Sequence, residues 1–134
     1  MVRYLLDTNI FIAALKGHPA VRTRLETTPL DRVLLSSVVL GELEFGAEKS
    51  AHSARNRRRL AELLGHLPLA VVDAEASRCY ARIRAELERQ GAPIGANDLW
   101  IAAQALALDA VMVTDNLGEF SRVPGLRIEN WLRQ

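Results

Sequence analysis

Short apolar runs alternate along the chain with longer segments of helical periodicity, and this alternation restricts the fold more than any other feature. The runs at 2–6, 32–35, 69–72 and 110–113 are mostly aliphatic and too short for helices. Strands separated by helices pair in parallel through right-handed crossovers. Near-continuous apolar strands are typical of sheets that are covered on both faces. A last short strand is expected near 126–128.

Residues that start and stop helices fall between these runs. Asp73 and Asn97 are predicted to cap the last two long helices, and Gly91 with Pro93 to end the first of them. The predicted helices cover 9–15, 20–26, 38–49, 53–66, 74–90 and 98–108. The chain therefore predicts an α/β three-layer sandwich, with a central, mostly parallel sheet of four to five strands flanked by helices. No repeat or linker divides the sequence, so we expect one domain over residues 1–134.

Several classes of protein are excluded by the sequence. The single cysteine, Cys79, rules out a disulfide framework and falls at a core position of a predicted helix. His18, His52 and His66 do not have the spacing of a zinc site. Asp7 interrupts the apolar start, so no signal peptide is predicted, and no apolar stretch is long enough to cross a bilayer. We expect a cytoplasmic protein with no membrane partner.

Four acidic residues map to one edge of the predicted sheet. Ligands of open parallel sheets bind beyond the carboxyl ends of the strands, where each following helix also begins. Asp7 and Asp115 directly follow predicted strands. Glu42 lies in the opening turns of the helix after the second strand, and Asp98 in the first turn of the helix that leads into the fourth. We therefore expect all four carboxylates at the carboxyl edge.

Carboxylates gathered at that edge need a positive charge. Two of them about 4 Å apart repel each other by about 4 kcal/mol at an effective dielectric constant of about 20. A hard divalent cation offsets this near neutral pH, and an all-oxygen site suits Mg²⁺, with Mn²⁺ as a substitute. Such a cation can orient a phosphodiester, generate hydroxide and stabilise the leaving oxygen. The sequence predicts a metal site of Asp7, Glu42 and Asp98, with Asp115 as a further candidate.

Each acid also has an ordinary structural interpretation. Asp7 could form an Asx turn or a helix cap, and Asp98 could complement the helix dipole. Glu42 is more informative, because it interrupts the apolar helical stretch 38–43, where an acid without a partner is unfavourable. Asp115 is less informative, because Asn116 beside it could be the residue that faces the site.

Polar residues next to these acids could orient the ligands. Asn9 and Thr114 are close in sequence to proposed ligands and can hydrogen-bond a carboxylate or a bound water, as can Asn116. Asn9 could instead cap a helix, and Thr114 could be a strand-end hydroxyl. The sequence leaves both interpretations open.

The densest basic stretch lies in the fourth predicted helix and just before it. It consists of Lys49, Arg55, Arg57, Arg58 and Arg59. These residues could form a solvated helix face, or they could hold an RNA backbone beside the acidic site, because phosphate contacts position a nucleic acid. The sequence does not decide between the two.

Three segments resemble the PIN-domain signature in order and spacing. They are Leu-Asp-Thr-Asn at 6–9, the helix at 37–46 that contains Glu42, and Asn-Asp-Leu-Trp-Ile-Ala-Ala at 97–103. Further segments are similar to VapC toxins of the enteric and plasmid type, namely 46–50, 83–87, 91–95 and 119–126. The resemblance covers almost the whole chain.

The resemblance implies a Mg²⁺- or Mn²⁺-dependent endoribonuclease with Asp7, Glu42 and Asp98 as its acid triad. It also implies a homodimer that a cognate VapB-type antitoxin inhibits by covering the acidic pocket, in a heterotetramer or larger complex. The implied substrate is tRNA, with the initiator tRNA anticodon region as the leading candidate. Many PIN domains have an acid two residues after the strand-end threonine, where this chain has Asn116, and this leaves the role of Asp115 open.

Two other functions use the same residues differently. An aspartate after the first strand can be phosphorylated, as in haloacid-dehalogenase-like phosphatases and receiver domains. The former have a second aspartate where this chain has Asn9, and both need a lysine at a strand end, which this sequence lacks. The other alternative is a non-catalytic module that binds RNA or a protein.

Overall fold

A parallel five-stranded sheet forms the centre of the protein, as a computed structural model of residues 1–133 shows. Its strands are β1 (Tyr4–Leu6), β2 (Val33–Ser36), β3 (Leu69–Ala70), β4 (Val111–Val113) and β5 (Ile128–Glu129). They are ordered β3-β2-β1-β4-β5, and every neighbouring pair is parallel. The first strand is therefore central. Its carboxyl end lies between the carboxyl ends of β2 and β4.

Helices flank this sheet. They are α1 (Thr8–Leu15), α2 (Pro19–Thr27), α3 (Ser37–Glu48), α4 (Ser53–Leu64), α5 (Ala74–Arg89), α6 (Ala96–Ala107) and the short α7 (Leu117–Phe120). The first four helices contact one another, and α5 packs along α6. The predicted three-layer α/β sandwich is confirmed. None of the helices in the described part of the chain has the length and apolar composition needed to span a bilayer.

The predicted elements differ from the structure mainly at their ends. Asn97 was expected to cap α6, but that prediction is wrong, because the helix begins at Ala96 with Gly95 as its cap. The third strand was expected over 69–72 but pairs only at Leu69–Ala70, because β2 ends at Ser36 and offers no further partner. Neither α7 nor a 3₁₀ turn at Leu30–Arg32 was predicted, since such short elements have no readable periodicity.

The core lies between the sheet and the helices. Cys79 and the strand residues of β2 and β4 are buried in it, and the cysteine is at the core position predicted for it. Trp131 is fully buried, with its ring centroid 5.3 Å from that of Tyr4. Trp100 stacks on Tyr80 at 3.7 Å. Trp131 therefore packs in the core, whereas Trp100 is half-buried against Tyr80.

Candidate active site

Asp7 lies directly after the central strand and is the most enclosed acid of the chain, with 6% of its surface exposed. Its N–H donates to the Val113 carbonyl at 2.8 Å, which extends the β1–β4 ladder by one residue. Both carboxylate oxygens accept hydrogen bonds of 2.8 Å, Oδ1 from the Thr8 N–H and Oδ2 from the Thr114 hydroxyl. The backbone and two threonines therefore fix the direction of this carboxylate.

Glu42 reaches the same edge from α3, which begins at the carboxyl end of β2. The Thr8 hydroxyl donates to Glu42 Oε1 at 2.5 Å, and the Asn97 side-chain amide donates to Oε2 at 3.4 Å. Since Thr8 follows Asp7 and Asn97 precedes Asp98, these bonds bring Glu42 beside the other two acids. The unexpected start of α6 at Ala96 leaves the Asn97 side chain free for this contact.

Asp98, in the first turn of α6, belongs to a cluster that includes Asn116 and Glu119. The Asn116 side-chain amide donates to Asp98 Oδ2 at 3.3 Å and to Glu119 Oε2 at 2.6 Å. Glu119 Oε1 also accepts from the Gly95 N–H at 2.8 Å. The Asp98 and Glu119 carboxyl groups lie close enough to share a proton. The loop after β4 and the start of α6 are thereby joined.

One chain of hydrogen bonds connects the whole cluster. From Glu42 it passes through Thr8 to Asp7, and then to the Thr114 hydroxyl, which also accepts from the Asn116 N–H at 2.9 Å. The Asn116 side chain continues it to Asp98 and Glu119. Four acids from four separate segments therefore share one polar network, the convergence that the edge rule predicted for Asp7, Glu42 and Asp98.

The acids perturb one another's protonation. Burial, the hydrogen bond with Glu119, and repulsion by Asp7, Glu119 and Glu42 together raise the pKa of Asp98 to about 8. The hydrogen bond with Asp98 and that from the Gly95 N–H lower the pKa of Glu119. Burial raises the pKa of Asp7 despite the bonds from Thr114 and Thr8, and repulsion by Glu42 adds to the rise. At neutral pH, Asp98 therefore holds a proton that it shares with ionised Glu119.

The donor chemistry of this site fits a hard divalent cation. All the groups that could bind the ion are carboxylate oxygens, which hard cations prefer. In the metal-free protein, a proton on Asp98 reduces the repulsion among the acids, as a bound cation would. Within residues 1–133, however, no three acidic, histidine or cysteine side chains are arranged closely enough to enclose an ion as they stand. Loss of the shared proton and side-chain rotation would have to accompany binding. Asp7, Glu42, Asp98 and Glu119 are the groups available for it.

Two predicted site residues make no hydrogen bond with this network. Asn9 is exposed in the first turn of α1, and its side chain makes no hydrogen bond within the described residues. Asp115 is also exposed and affects the network only through its charge, by raising the pKa of Asp7. Asn116 instead points inward, so of the two neighbours it is the asparagine that contacts the acids.

Glu119 was missed as a site residue by the sequence analysis. It stands at the third position of α7, three residues after the helix cap Asn116. An Asn or Ser followed three residues later by Glu is a capping-box pattern, which would have indicated a helix start at the sheet edge. Because α7 has only four residues, no apolar periodicity supported that interpretation.

The basic stretch lies beside a groove that opens next to Glu42. The groove, about 460 Å³ in volume between α1, α3 and α4, has an apolar lining that includes Ile12 and Leu60, together with the cations Lys16 and Arg59. Arg55 and Arg58 are exposed. The other three basic residues have partners within the chain: Arg57 pairs with Glu48, Arg59 donates to the Leu15 carbonyl, and Lys49 lies over the Phe45 ring.

Known proteins share this sequence and fold over nearly their full lengths. The PIN domain family matches residues 4–126. The chain is 40% identical to the ribonuclease VapC2 of Rickettsia felis, covering 96% of this chain and 97% of that protein. It is also 40% identical to a tRNA(fMet)-specific endonuclease VapC of Salmonella typhimurium, covering 98% and 99%.

Solved structures give the same result. The crystal structure of DNA-bound VapBC from Salmonella typhimurium contains a chain that superposes on this one with a TM-score of 0.92. That chain is 40% identical to this one, and the match covers 98% of this chain and 99% of the other. The agreement extends over every strand and helix that supplies an acid to the site. The protein therefore belongs to the PIN-domain family and, within it, to the VapC group.

Proposed function

We propose that this protein is an endoribonuclease that acts as the toxin of a VapBC-type toxin–antitoxin pair and depends on Mg²⁺, which Mn²⁺ can replace. The observation that carries the proposal is the hydrogen-bond network that gathers four carboxylates at the carboxyl edge of the sheet. The relatives' names support RNA as the substrate, and one of them supports tRNA(fMet). We therefore propose tRNA, with the initiator tRNA anticodon region as the first candidate, and the cytoplasm as the place of action.

In this proposal, Asp7 and Asp98 hold the metal ion directly, and Glu42 is a further ligand or orients the attacking water. Asp98 releases the proton that it shares with Glu119, and Glu119 is then available as a fourth oxygen donor. A bound divalent cation would offset the charge of the phosphate and lower the pKa of a coordinated water. Asp115 is exposed, so we propose no direct ligand role for it.

The chain's own residues fix the directions of these acids. Thr8 and Thr114 hold the two oxygens of Asp7, and Thr8 also bonds to Glu42. Asn116 holds Asp98 and Glu119 from the opposite side. Water oriented by Glu42 attacks the phosphorus in line, the bond from phosphorus to the 3′ oxygen breaks, and the products carry a 5′-phosphate and a 3′-hydroxyl.

The surface next to Glu42 supports binding of a polyanion. Arg55 and Arg58 on α4 are exposed, and Lys16 and Arg59 line the groove. Phosphate contacts of this kind position a nucleic acid without reading its sequence. We propose that Arg55 and Arg58 make such contacts. The proposed roles of Lys49, Arg57 and Arg59 require them to exchange their partners within the chain for phosphates.

A cognate antitoxin is the proposed protein partner. The solved relatives include VapBC complexes from Salmonella typhimurium and Rickettsia felis. We propose that the antitoxin's tail covers the acidic pocket, with apolar side chains in the groove that opens beside Glu42. We also propose that the toxin is a homodimer and that it forms a heterotetramer or larger complex with the antitoxin.

The test is to express the chain with and without its antitoxin and to map the ends of the cleaved RNA. We expect new 5′-phosphate ends in one tRNA class, absent when the antitoxin is present. A matched acid variant, Glu44→Gln, should behave as wild type, because Glu44 is exposed on α3 outside the network. RNA that stays intact in arrested cells would refute the nuclease and favour a non-catalytic binding module.

Replacing Thr114 by valine tests how the network supports Asp7. Valine has a similar shape but cannot donate to Asp7 Oδ2 or accept from the Asn116 N–H. Since the Thr114 hydrogen bond lowers the pKa of Asp7, its loss should raise that pKa further. We expect about a tenfold fall in RNA cleavage, as for other residues that orient metal ligands. Single-turnover rates against pH measure both effects.

The control for this variant is Thr27→Val, which removes an exposed hydroxyl on α2 that bonds only to the backbone of its own helix. Its cleavage rate and pH profile should match those of the wild type. Equal activity of Thr114→Val and wild type would mean that the Thr114 hydroxyl does not direct the Asp7 carboxylate during the reaction.

A further inference from the structure

Gln104 is an amide side chain on the buried face of α6, a largely apolar helix. It lies on α6 with 1% of its surface exposed, and its neighbours Ala102, Ala103 and Ala105 are buried core residues. A primary amide is unfavourable in such surroundings unless hydrogen bonds satisfy it. An apolar residue would serve the core at least as well. The position of this amide therefore calls for a role beyond packing.

Both ends of the Gln104 amide are used, and they join separate elements. Its Nε2 donates to the Ala70 carbonyl at 2.8 Å, at the end of β3. Its Oε1 accepts from the Ser36 hydroxyl at 2.5 Å, at the end of β2. Since Ser36 is itself fully buried, this contact is shielded from water and is not exchanged for solvent.

Ser36 transmits this contact to α3. Its hydroxyl oxygen caps the helix by accepting from the Val38 and Val39 N–H groups at 3.1 and 3.4 Å. A hydroxyl has one hydrogen, and here that hydrogen is directed to Gln104. The oxygen lone pairs are thereby turned toward the start of α3. Gln104 thus fixes the start of α3 relative to α6.

These two helices carry two of the acids. Glu42 lies six residues after Ser36 on α3, and Asp98 lies six residues before Gln104 on α6. The helices contact each other, and the Asn97 amide reaches across to Glu42 at a length of 3.4 Å. That bond is long, so it constrains the distance between the helices only weakly. The stronger polar link between them is the one through Gln104 and Ser36.

We propose that Gln104 is a positioning residue that sets the spacing of Glu42 and Asp98 through Ser36, and so tunes the affinity of the site for a divalent cation. The inference deepens the proposed function and rests on it, because it takes these acids to bind a cation. A purely structural Gln104 would affect folding stability alone. A positioning residue would also affect how tightly the folded protein binds the ion.

The experiment measures Mn²⁺ binding to the purified full-length chain by isothermal titration calorimetry, with Gln104→Met as the variant. Methionine keeps the length of the side chain but has no amide. We expect Mn²⁺ to bind about tenfold more weakly, the lower end of the range for residues that orient ligands from outside the coordination sphere. The Mn²⁺ concentration for half-maximal RNA cleavage should rise by the same factor, with the KM for RNA at saturating Mn²⁺ unchanged.

Two further variants separate positioning from stability. Ile83→Ala removes a buried side chain from α5, which carries none of the acids, and should lower the Tm while leaving Mn²⁺ affinity unchanged. Gln104→Asn keeps the amide on a shorter side chain that cannot span both partners, and it provides the measurement if Gln104→Met does not fold. An intermediate loss of affinity is expected for it.

The outcomes distinguish this inference from the proposed function. Wild-type protein that binds no Mn²⁺ would overturn the proposed metal-dependent nuclease. Wild-type protein that binds Mn²⁺, with both Gln104 variants folded and binding it equally well, would overturn only the role of Gln104. A fall in affinity for Ile83→Ala as large as that for Gln104→Met would also overturn it, because general destabilisation would then explain the effect.

Discussion

Asp98→Asn is expected to abolish RNA cleavage while making the metal-free protein more stable. The substitution keeps the shape of the side chain and removes a negative charge that the proposal assigns to metal binding. Loss of a direct ligand costs about 4 kcal/mol of transition-state stabilisation, which corresponds to roughly a 10³-fold lower cleavage rate. The rate is measured under single-turnover conditions at saturating Mg²⁺.

The gain in stability follows from the sign of the pKa shift. Asp98 has a pKa of about 8 in the folded protein, against about 3.9 for an unperturbed aspartate. The folded state therefore binds more protons than the unfolded state between these two values, and stability contributed by this site falls as the pH rises from about 4 to about 8. Asparagine cannot ionise, and its amide can donate to Glu119 as protonated Asp98 does.

The expected gain is on the order of 1 kcal/mol at pH 8, or about 3–5 °C in Tm for a domain of this size. Thermal unfolding in a chelating buffer measures it. Asp73→Asn is the matched control: Asp73 caps α5 away from the network, asparagine caps equally well, and neither activity nor Tm should change. Wild-type cleavage by folded Asp98→Asn, or a lower Tm, would remove Asp98 from the proposed site.

The sequence predicts most of the acids of this site, but it does not decide which residues hydrogen-bond to them. Asp7, Glu42 and Asp98 follow from one geometric rule, because strand ends and helix starts share an edge. Their hydrogen-bond partners do not follow from it. The contact of Thr8 with Glu42 depends on the rotamers of both side chains. The turn after β4 decides that Asn116, and not Asp115, contacts Asp98.

The same limit applies to the fold. Element order and the parallel sheet are read from alternation, whose signal extends over many residues. Helix α6 starts at Ala96, only a few residues from the predicted start, and this shift leaves the Asn97 side chain free to contact Glu42. The position of a helix end cannot be predicted from sequence more closely than this. Gln104 illustrates a further limit: a glutamine in an apolar helix signals a buried contact, but its partners Ser36 and Ala70 are 68 and 34 residues away in sequence.

Divalent-cation affinity should weaken as the pH falls below about 8 and approach a tenfold loss per pH unit, so that Mn²⁺ binds about 50-fold more weakly at pH 6 than at pH 8. The reason is the proton that Asp98 shares with Glu119. A cation has to displace it, and displacement becomes harder as the proton concentration rises. Calorimetry in two buffers of different ionisation enthalpy should show about one proton released per Mn²⁺ at pH 7 and almost none at pH 9.

The Glu119→Gln variant tests whether the proton on Asp98, and not another titrating group, causes the pH dependence of Mn²⁺ binding. The variant removes the ionised partner that, after burial, does most to raise the pKa of Asp98. Asp98 should then ionise at a lower pH, so the pH dependence of Mn²⁺ binding should move downward by about one pH unit or more, since each unit corresponds to only about 1.4 kcal/mol.

Binding that is equally tight at pH 6 and pH 8 in the wild type would mean that Asp98 is already ionised in the free protein. In that case repulsion among the acids would have to be relieved by separation of the side chains, and the gain in stability expected for Asp98→Asn would be lost with it.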